Sequence, residues 1–93
     1  MPQEQVTIIN RKGLHARASA KFVNTVAKLP EGLRISVSRD GQSANGQSIM
    51  GLMMLGAAKG HSIDISVEGN DPGAADSALA KLVGLVADGF GED

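Results

Sequence analysis

The segment QVTIINRKGLHARASAKF, residues 5–22, decides the fold class because its hydrophobic period changes along its length. Val6 and Ile8 alternate with polar neighbours and predict a half-buried strand over residues 5–9. A turn-rich break follows. From Ala16 to Leu29 the apolar residues recur at helical spacing, with polar residues on the opposite side. The segment therefore predicts a strand that leads through a short loop into an amphipathic helix.

The rest of the chain continues this alternation of strand and helix patterns. The predicted elements, in order, are strands over 33–38 and 42–45, a helix over 48–55, a strand over 61–69 and a helix that begins at Asp71 and Pro72. The order is β α β β α β α. Because each main strand has one apolar face and each helix one apolar stripe, all helices must cover one side of the sheet. The predicted fold is α+β, an open-faced β-sandwich of a four-stranded antiparallel sheet with three helices on one face.

Composition restricts the possible functions. A chain of 93 residues fits one domain, taken here as residues 1–93. The formal net charge of -1 gives no global attraction to nucleic acid or to an anionic membrane. Without cysteine there is no disulfide, thiolate nucleophile or zinc-thiolate site, and no apolar run is long enough for a membrane span. No signal-peptide pattern follows Met1, so we expect a cytoplasmic location.

His15 is the main candidate for chemistry. If a helix begins at Ala16, its first N–H groups and its dipole create an anion site beside residue 15, and Arg17 adds a positive charge that could fork onto a phosphate. The positive end of the helix and the charge of Arg17 both favour the neutral form of the His15 ring, whose lone pair is nucleophilic. Gly13 would allow a sharp turn and the approach of another protein's phosphoryl donor. The alternatives are a merely solvated loop histidine and a module that binds an anion without covalent chemistry.

Other active sites find little support in the sequence. Bases stack on aromatic side chains in RNA-binding sheets of this element order, but the chain has no Tyr or Trp, and Phe22 and Phe90 are both predicted on helices. No paired carboxylates or Ser-His-Asp set can be assembled, and His61 has no metal-ligand spacing to His15. We therefore expect no enzyme activity of its own, no metal and no cofactor. The GFGED ending is expected to be frayed.

The second helix is too apolar for a fully covered element. We expect Leu52 and Leu55 to point inward and Ile49, Met50 and Met53 to face outward as a docking patch, since methionine adapts to dissimilar partners. The basic stripe of Arg17, Lys21 and Lys28 would form its rim, or would be a solvated helix face. Ser48 is predicted as the N-cap of this helix.

Two motifs carry a resemblance to a known family. "GLHAR" before an amphipathic helix, and "QSIMGLMMLGAAKG" before an alternating strand, resemble HPr, the histidine-containing phosphocarriers of the bacterial phosphotransferase system, and their nitrogen-branch paralogues (NPr). The match spans residues 5–87. The resemblance implies that His15 is phosphorylated at Nδ1 by enzyme I, using phosphoenolpyruvate, and that it passes the phosphoryl group to EIIA-type proteins. It implies that Arg17 assists the phosphoryl group and that Ser48 matches the serine that an HPr kinase/phosphorylase modifies in many members; whether Ser48 is modified in this protein stays open.

Two features depart from the family pattern. Ala18 stands where members usually have proline, which removes a rigid φ and adds an N–H group near the expected phosphate. The separation between His15 and Ser48 is also slightly longer than usual, and we expect the first helix end to absorb the difference. The branch, carbohydrate uptake or nitrogen regulation, stays open at this point. A monomer is expected, because a carrier needs its surface for transient docking.

Overall fold

A computed structural model describes residues 2–92 and contains one antiparallel sheet of four strands. The strands are β1 (Gln3–Thr7), β2 (Arg34–Arg39), β3 (Gln42–Asn45) and β4 (Ser62–Glu68). Their spatial order is β1-β4-β2-β3. Asp40 and Gly41 both have positive φ, 51° and 81°, as a tight hairpin turn between β2 and β3 requires. The predicted antiparallel sheet is confirmed.

The first strand lies two residues earlier than predicted. It pairs with β4 from Gln3 opposite Ser66 to Thr7 opposite Ser62, where β4 begins. Ile8 follows the strand, and its N–H donates to the carbonyl of His61 at 2.9 Å. Its side chain is fully buried, so the inward face predicted from the alternation of Val6 and Ile8 is correct. The strand boundary predicted from the same pattern is wrong.

Three helices pack on the sheet, and each begins at a polar cap. They are α1 (Ala16–Ala27), α2 (Ile49–Met54) and α3 (Pro72–Ala87), with His15, Ser48 and Asp71 as their N-caps. Each cap side chain accepts a hydrogen bond from a backbone N–H of the first turn. Helix α1 begins where predicted but ends at Ala27, two residues before Leu29, because Lys28 closes its last turn.

The core lies between one face of the sheet and the helices. Ile35 and Val37 of β2 and the three apolar residues of β4 are buried, while the side chains between them are more exposed. The helices contribute stripes that meet this face; their buried members include Phe22 and Val26 of α1, Leu52 of α2, and Leu79, Leu82 and Val86 of α3. The open-faced sandwich predicted from the patterns is confirmed. Within residues 2–92 no helix has both the length and the apolar character that crossing a bilayer demands.

The expectation of a frayed ending is wrong for the tail up to Glu92. A short 3₁₀ helix, Gly89–Gly91, follows α3 and buries Phe90, which is 1% exposed. The ammonium of Lys21 on α1 donates to the Phe90 carbonyl at 2.7 Å. Burial of the aromatic ring and the Lys21 hydrogen bond offset part of the chain freedom lost at these residues. The tail therefore returns to the N-terminal end of α1.

Candidate functional site

His15 caps α1 with both of its ring nitrogens engaged. The backbone N–H of Arg17 donates to Nδ1 at 3.3 Å. On the other side of the ring, Nε2 lies 3.1 Å from both carboxylate oxygens of Glu92. The His15 side chain is 23% exposed, so the ring is neither in the core nor free in solvent. The predicted position of His15 at a helix N-terminus is confirmed.

The loop before His15 is held by its backbone. Gly13 has a φ of 64°, and an added Cβ would lie 2.4 Å from the carbonyl oxygen of Ala57. The next residue, Leu14, donates its N–H to that same oxygen at 3.0 Å. The sharp turn expected at Gly13 is confirmed by its left-handed backbone. Gly13 itself is buried against the chain's own backbone, and the approach of another protein's phosphoryl donor stays a prediction.

Glu92 supplies the carboxylate of the site, and this carboxylate is hydrogen-bonded to Asn10 and His15. Asn10, which is 1% exposed, donates from Nδ2 to Glu92 Oε1 at 3.3 Å and to the Gly13 carbonyl at 2.8 Å. The hydrogen bond with His15 lowers the pKa of Glu92, with smaller contributions in the same direction from Asn10 and from the charge of Lys21; desolvation opposes them. The carboxylate is therefore held in its ionised form beside the imidazole.

An open cavity of about 310 Å³ surrounds this contact. Its lining residues are Arg11, Lys12, His15, Arg17, Lys21, Gly91 and Glu92. The lining thus carries basic side chains from the loop and from α1 against one carboxylate. Within residues 2–92 the backbone N–H groups of Ala16 and Ala18 have no hydrogen-bond partner, as expected for a first helical turn. Free amides, the helix dipole and basic side chains together favour an anion at this position.

Arg17 and Ala18 share the first turn of α1 but have different surroundings. Arg17 is exposed, and its guanidinium makes no hydrogen bond or ion pair with any other described residue. Ala18 is fully buried in the core. Alanine at this position is thus compatible with the helix and supplies the extra N–H group expected from the sequence.

The second predicted feature lies on α2. The exposed fractions are 40% for Ile49, 68% for Met50, 40% for Met53 and 75% for Met54, whereas Leu52 is fully buried. We call Ile49, Met50, Met53 and Met54 the α2 patch. The outward positions predicted for its first three members, and the inward positions of Leu52 and Leu55, are confirmed. Met54 was missed, although it lies about 200° around the helix from Leu52 and its exposure follows from that spacing.

The remaining predicted residues keep simpler environments. Ser48 is half-buried, and its Oγ accepts the Gly51 N–H at 2.9 Å. Lys28 is exposed at the end of α1, while Lys21 is half-buried and bonded to the tail. His61 uses Nδ1 to accept the Ala58 N–H at 3.0 Å and does not line the cavity of His15. In the described part of the chain, no cluster of three or more His, Cys, Asp or Glu residues could hold a metal ion.

Sequence reasoning missed Asn10 and Glu92. Residues 15 and 92 are separated by 77 positions, and no local pattern joins them. The one available signal was Phe90, a large apolar residue in an otherwise polar ending. A buried ring at that position requires the tail to dock on the core.

Comparisons with known proteins agree with this arrangement. Residues 2–88 match the family described as "PTS HPr component phosphorylation site". The phosphocarrier protein HPr of Pseudomonas aeruginosa is 43% identical over 93 residues, covering 99% of this chain and 98% of its own. That of Neisseria meningitidis serogroup B is 43% identical, covering 89% and 91%. A crystal structure of HPr from Thermoanaerobacter tengcongensis is 39% identical with a TM-score of 0.82, covering 100% of this chain and 99% of its own.

Proposed function

The chain belongs to the HPr family of the phosphotransferase system, and from this premise we propose that His15 carries the phosphoryl group. His15 accepts it from enzyme I, which is charged by phosphoenolpyruvate, and passes it to EIIA-type proteins. The observation that carries the proposal is the imidazole at the N-terminus of α1, inside a cavity rich in basic side chains. The carrier is a substrate of its partners and does not act as an enzyme itself.

The acceptor atom in this proposal is Nδ1. Its lone pair accepts the Arg17 N–H, so Nδ1 is unprotonated and faces the first turn of the helix. Nδ1 attacks the phosphorus, the new N–P bond forms, and the bond to the donor breaks with its electron pair leaving on the donor atom. The phosphoryl oxygens then lie beside the unpartnered amides of Ala16 and Ala18. These amides stabilise the charge without a metal.

Arg17 is proposed to stabilise the phosphoryl group. Its guanidinium lines the same cavity as His15 and is not engaged by another described residue. It can therefore turn toward a phosphoryl group and offer two parallel N–H donors. Lysine at this position would keep the charge but lose the fork.

The docking surface is proposed to be the α2 patch together with Lys28, which is exposed at the end of α1. A cluster of one Ile and three Met side chains is exposed on α2, and α2 packs against α1, the helix that His15 caps. Methionine side chains repack at low cost, which suits a carrier that must bind enzyme I and several EIIA-type proteins in turn. Lys21, also predicted for this surface, contributes only if its bond to Phe90 opens.

Ser48 is proposed as a regulatory phosphorylation site for an HPr kinase/phosphorylase. As the N-cap of α2 it lies directly before Ile49 and Met50 of the α2 patch. A phosphate there adds roughly 1.5 to 2 negative charges at a helix N-terminus, which tolerates them, so the fold is retained. The same charges disturb an apolar docking surface.

The test of the carrier role is phosphorylation in vitro. We expect the wild-type protein to gain one acid-labile phosphoryl group when incubated with enzyme I, phosphoenolpyruvate and magnesium. His15→Ala should gain none, and His61→Ala, the matched control at the other histidine, should gain one. Arg17→Lys should be phosphorylated more slowly than wild type. If the wild-type protein gains nothing, the chain is a non-covalent anion-binding module instead, and if His15→Ala is labelled, the acceptor is another residue.

The regulatory role is tested with charge substitutions. Ser48→Asp should fold like the wild-type protein but accept phosphate from enzyme I more slowly, because the new charge lies at the α2 patch. Ser77→Asp, which places the same charge at an exposed position of α3, should not slow acceptance. Equal rates for Ser48→Asp and wild type would rule out regulation through this residue.

A further inference from the structure

Two contacts of His15 specify the same protonation pattern of its ring. Nδ1 accepts the Arg17 N–H, which requires a lone pair on that atom. Nε2 faces both oxygens of the Glu92 carboxylate at 3.1 Å, and a carboxylate can only accept. The single proton of the neutral ring is therefore assigned to Nε2 by its partners. Glu92 and the helix amide orient the ring from opposite sides.

The structure holds Glu92 in place through the tail. Phe90 is 1% exposed and has a left-handed φ of 59°, a backbone conformation that a bulky residue adopts only where its surroundings enforce it. Lys21 binds the Phe90 carbonyl, and the buried side chain of Asn10 binds Glu92 itself. These anchors come from three separate parts of the chain. Glu92 is thus a positioned carboxylate and not a loose surface charge.

We infer that Glu92 is a positioning residue for phosphoryl transfer: its carboxylate holds the Nε2 proton of His15 and serves as the internal counter-ion of the phosphorylated ring. The inference rests on the proposed carrier function, because it concerns the same ring. It assigns a role to the C-terminal tail, which lies outside the residues matched by the family, 2–88.

The proton on Nε2 stays in place throughout the step. When Nδ1 forms the N–P bond, the ring keeps the Nε2 proton and gains a formal positive charge, while the donor leaves with the electron pair of the bond that breaks. Glu92 neutralises that charge through its hydrogen bond. In the return step the N–P electron pair goes back to Nδ1, and the neutral ring is restored. No general base is needed in either direction.

The other charges around the ring make this role specific. Arg11, Lys12, Arg17 and Lys21 line the cavity with His15, and among residues 2–92 Glu92 is the one acidic side chain in that lining. A positively charged ring among basic side chains is unfavourable, although the phosphoryl oxygens themselves attract those cations. Without Glu92 the ring would lose its Nε2 proton more readily after phosphorylation. The phosphoryl group would then be bound to a poorer leaving group.

The experiment compares Glu92→Gln, which keeps an oxygen acceptor but removes the charge, with Glu92→Ala, which removes both. Glu31→Gln is the matched control, because Glu31 is an exposed acidic residue outside the lining of the cavity. The first readout is the Nε2–H resonance of unphosphorylated His15 in NMR spectra. We expect it to be observable in wild type and Glu92→Gln, and to be lost to solvent exchange in Glu92→Ala.

The second readout is phosphoryl transfer measured over a range of pH. We expect both Glu92 variants to accept and donate the phosphoryl group about two- to fivefold more slowly at neutral pH, the factor associated with one partly exposed ion pair. In the phosphorylated protein the Nε2–H resonance should persist to higher pH in wild type than in Glu92→Gln. Thermal unfolding of Glu92→Gln should match wild type, since Phe90 still anchors the tail.

The outcomes separate the inference from the function on which it rests. If wild type accepts the phosphoryl group, and Glu92→Ala does so equally fast with an unchanged Nε2–H resonance, the role of Glu92 is refuted and the carrier function stands. If wild type accepts no phosphoryl group, both are refuted, whatever the resonance shows. Slower transfer in Glu31→Gln would also overturn the inference, because the effect would then follow net charge and not position.

Discussion

Replacing Gly13 by alanine tests whether the close backbone contact before His15 holds the loop in place. Gly13 and Gly56 have the same φ of 64°, but their surroundings differ. A Cβ at Gly13 would lie 2.4 Å from the Ala57 oxygen and 2.8 Å from Ala58 Cα, whereas nothing lies within 4 Å of one at Gly56. Gly56→Ala is therefore a matched control that carries the left-handed strain without the clash.

The expected cost follows from these contacts. Alanine in the left-handed region costs roughly 1–2 kcal/mol at either position, partly offset by the smaller entropy of the unfolded chain. At Gly13 the two segments must also separate until the contact grows from 2.4 Å to at least 3.0 Å. That movement opens the 3.0 Å hydrogen bond between Leu14 N–H and the Ala57 carbonyl, where both residues are 5% exposed. Leaving such buried groups unpaired costs about 1–3 kcal/mol more.

The measurement is urea and thermal unfolding followed by far-UV circular dichroism, since the chain has neither Trp nor Tyr for fluorescence. We expect Gly13→Ala to unfold with about 1–3 kcal/mol less free energy than Gly56→Ala. Each kcal/mol should lower Tm by about 4–8 °C in a domain of this size. Equal stability of the two variants would refute the argument, because it would show that the loop accommodates a side chain against Ala57 without loss.

Two further predictions concern the core and the tail. Leu52→Ala, at a fully buried position of α2, should lower the free energy of unfolding by about 2–5 kcal/mol. Met54→Ala, at a position 75% exposed on the same helix, should change it by less than about 0.5 kcal/mol. Similar losses in the two variants would mean that α2 does not pack as described. Because the His15 hydrogen bond, Asn10 and Lys21 lower the pKa of Glu92, the tail contact should be fully present above the ordinary carboxyl value of 4.5 and be lost as pH falls through the lowered pKa. The ¹³C carboxyl shift of Glu92 should titrate below that value in wild type and closer to it in His15→Ala; one midpoint for both would contradict the His15 contact.

Most of the fold could be predicted because its determinants are local. The spacing of apolar residues on β2 and β4 identified their buried faces, the change of hydrophobic period identified the start of α1, and the caps Ser48 and Asp71 identified where α2 and α3 begin. The same reasoning placed Leu52 inside and Met50 outside on a helix of six residues. Boundaries were less accurate, since the ends of β1 and α1 depend on pairing with β4 and on the cap at Lys28.

The site could be predicted only in part, because one side of it is a local sequence motif and the other side depends on contacts between residues far apart in the sequence. His15 and Arg17 belong to one local motif at a helix N-terminus, and the sequence is sufficient to place them there. Glu92 reaches His15 only through the docking of Phe90, which depends on the packed core and not on a motif. The basic residues Arg11 and Lys12 join the cavity because the loop turns at Gly13. Composition alone cannot report such contacts.

The two sides of the imidazole are therefore held by separate parts of the core. The Nδ1 side depends on the helix start and on the contact of Gly13 with Ala57, so a change there alters stability and the acceptor position together. The Nε2 side depends on the tail, whose anchor at Phe90 is independent of the charge on Glu92. A substitution that removes only this charge leaves Nδ1 where it is and changes the electrostatic surroundings of the ring. Transfer that is slowed while stability is retained is the result expected for the Glu92 variants, whereas Gly13→Ala should lower stability and transfer together.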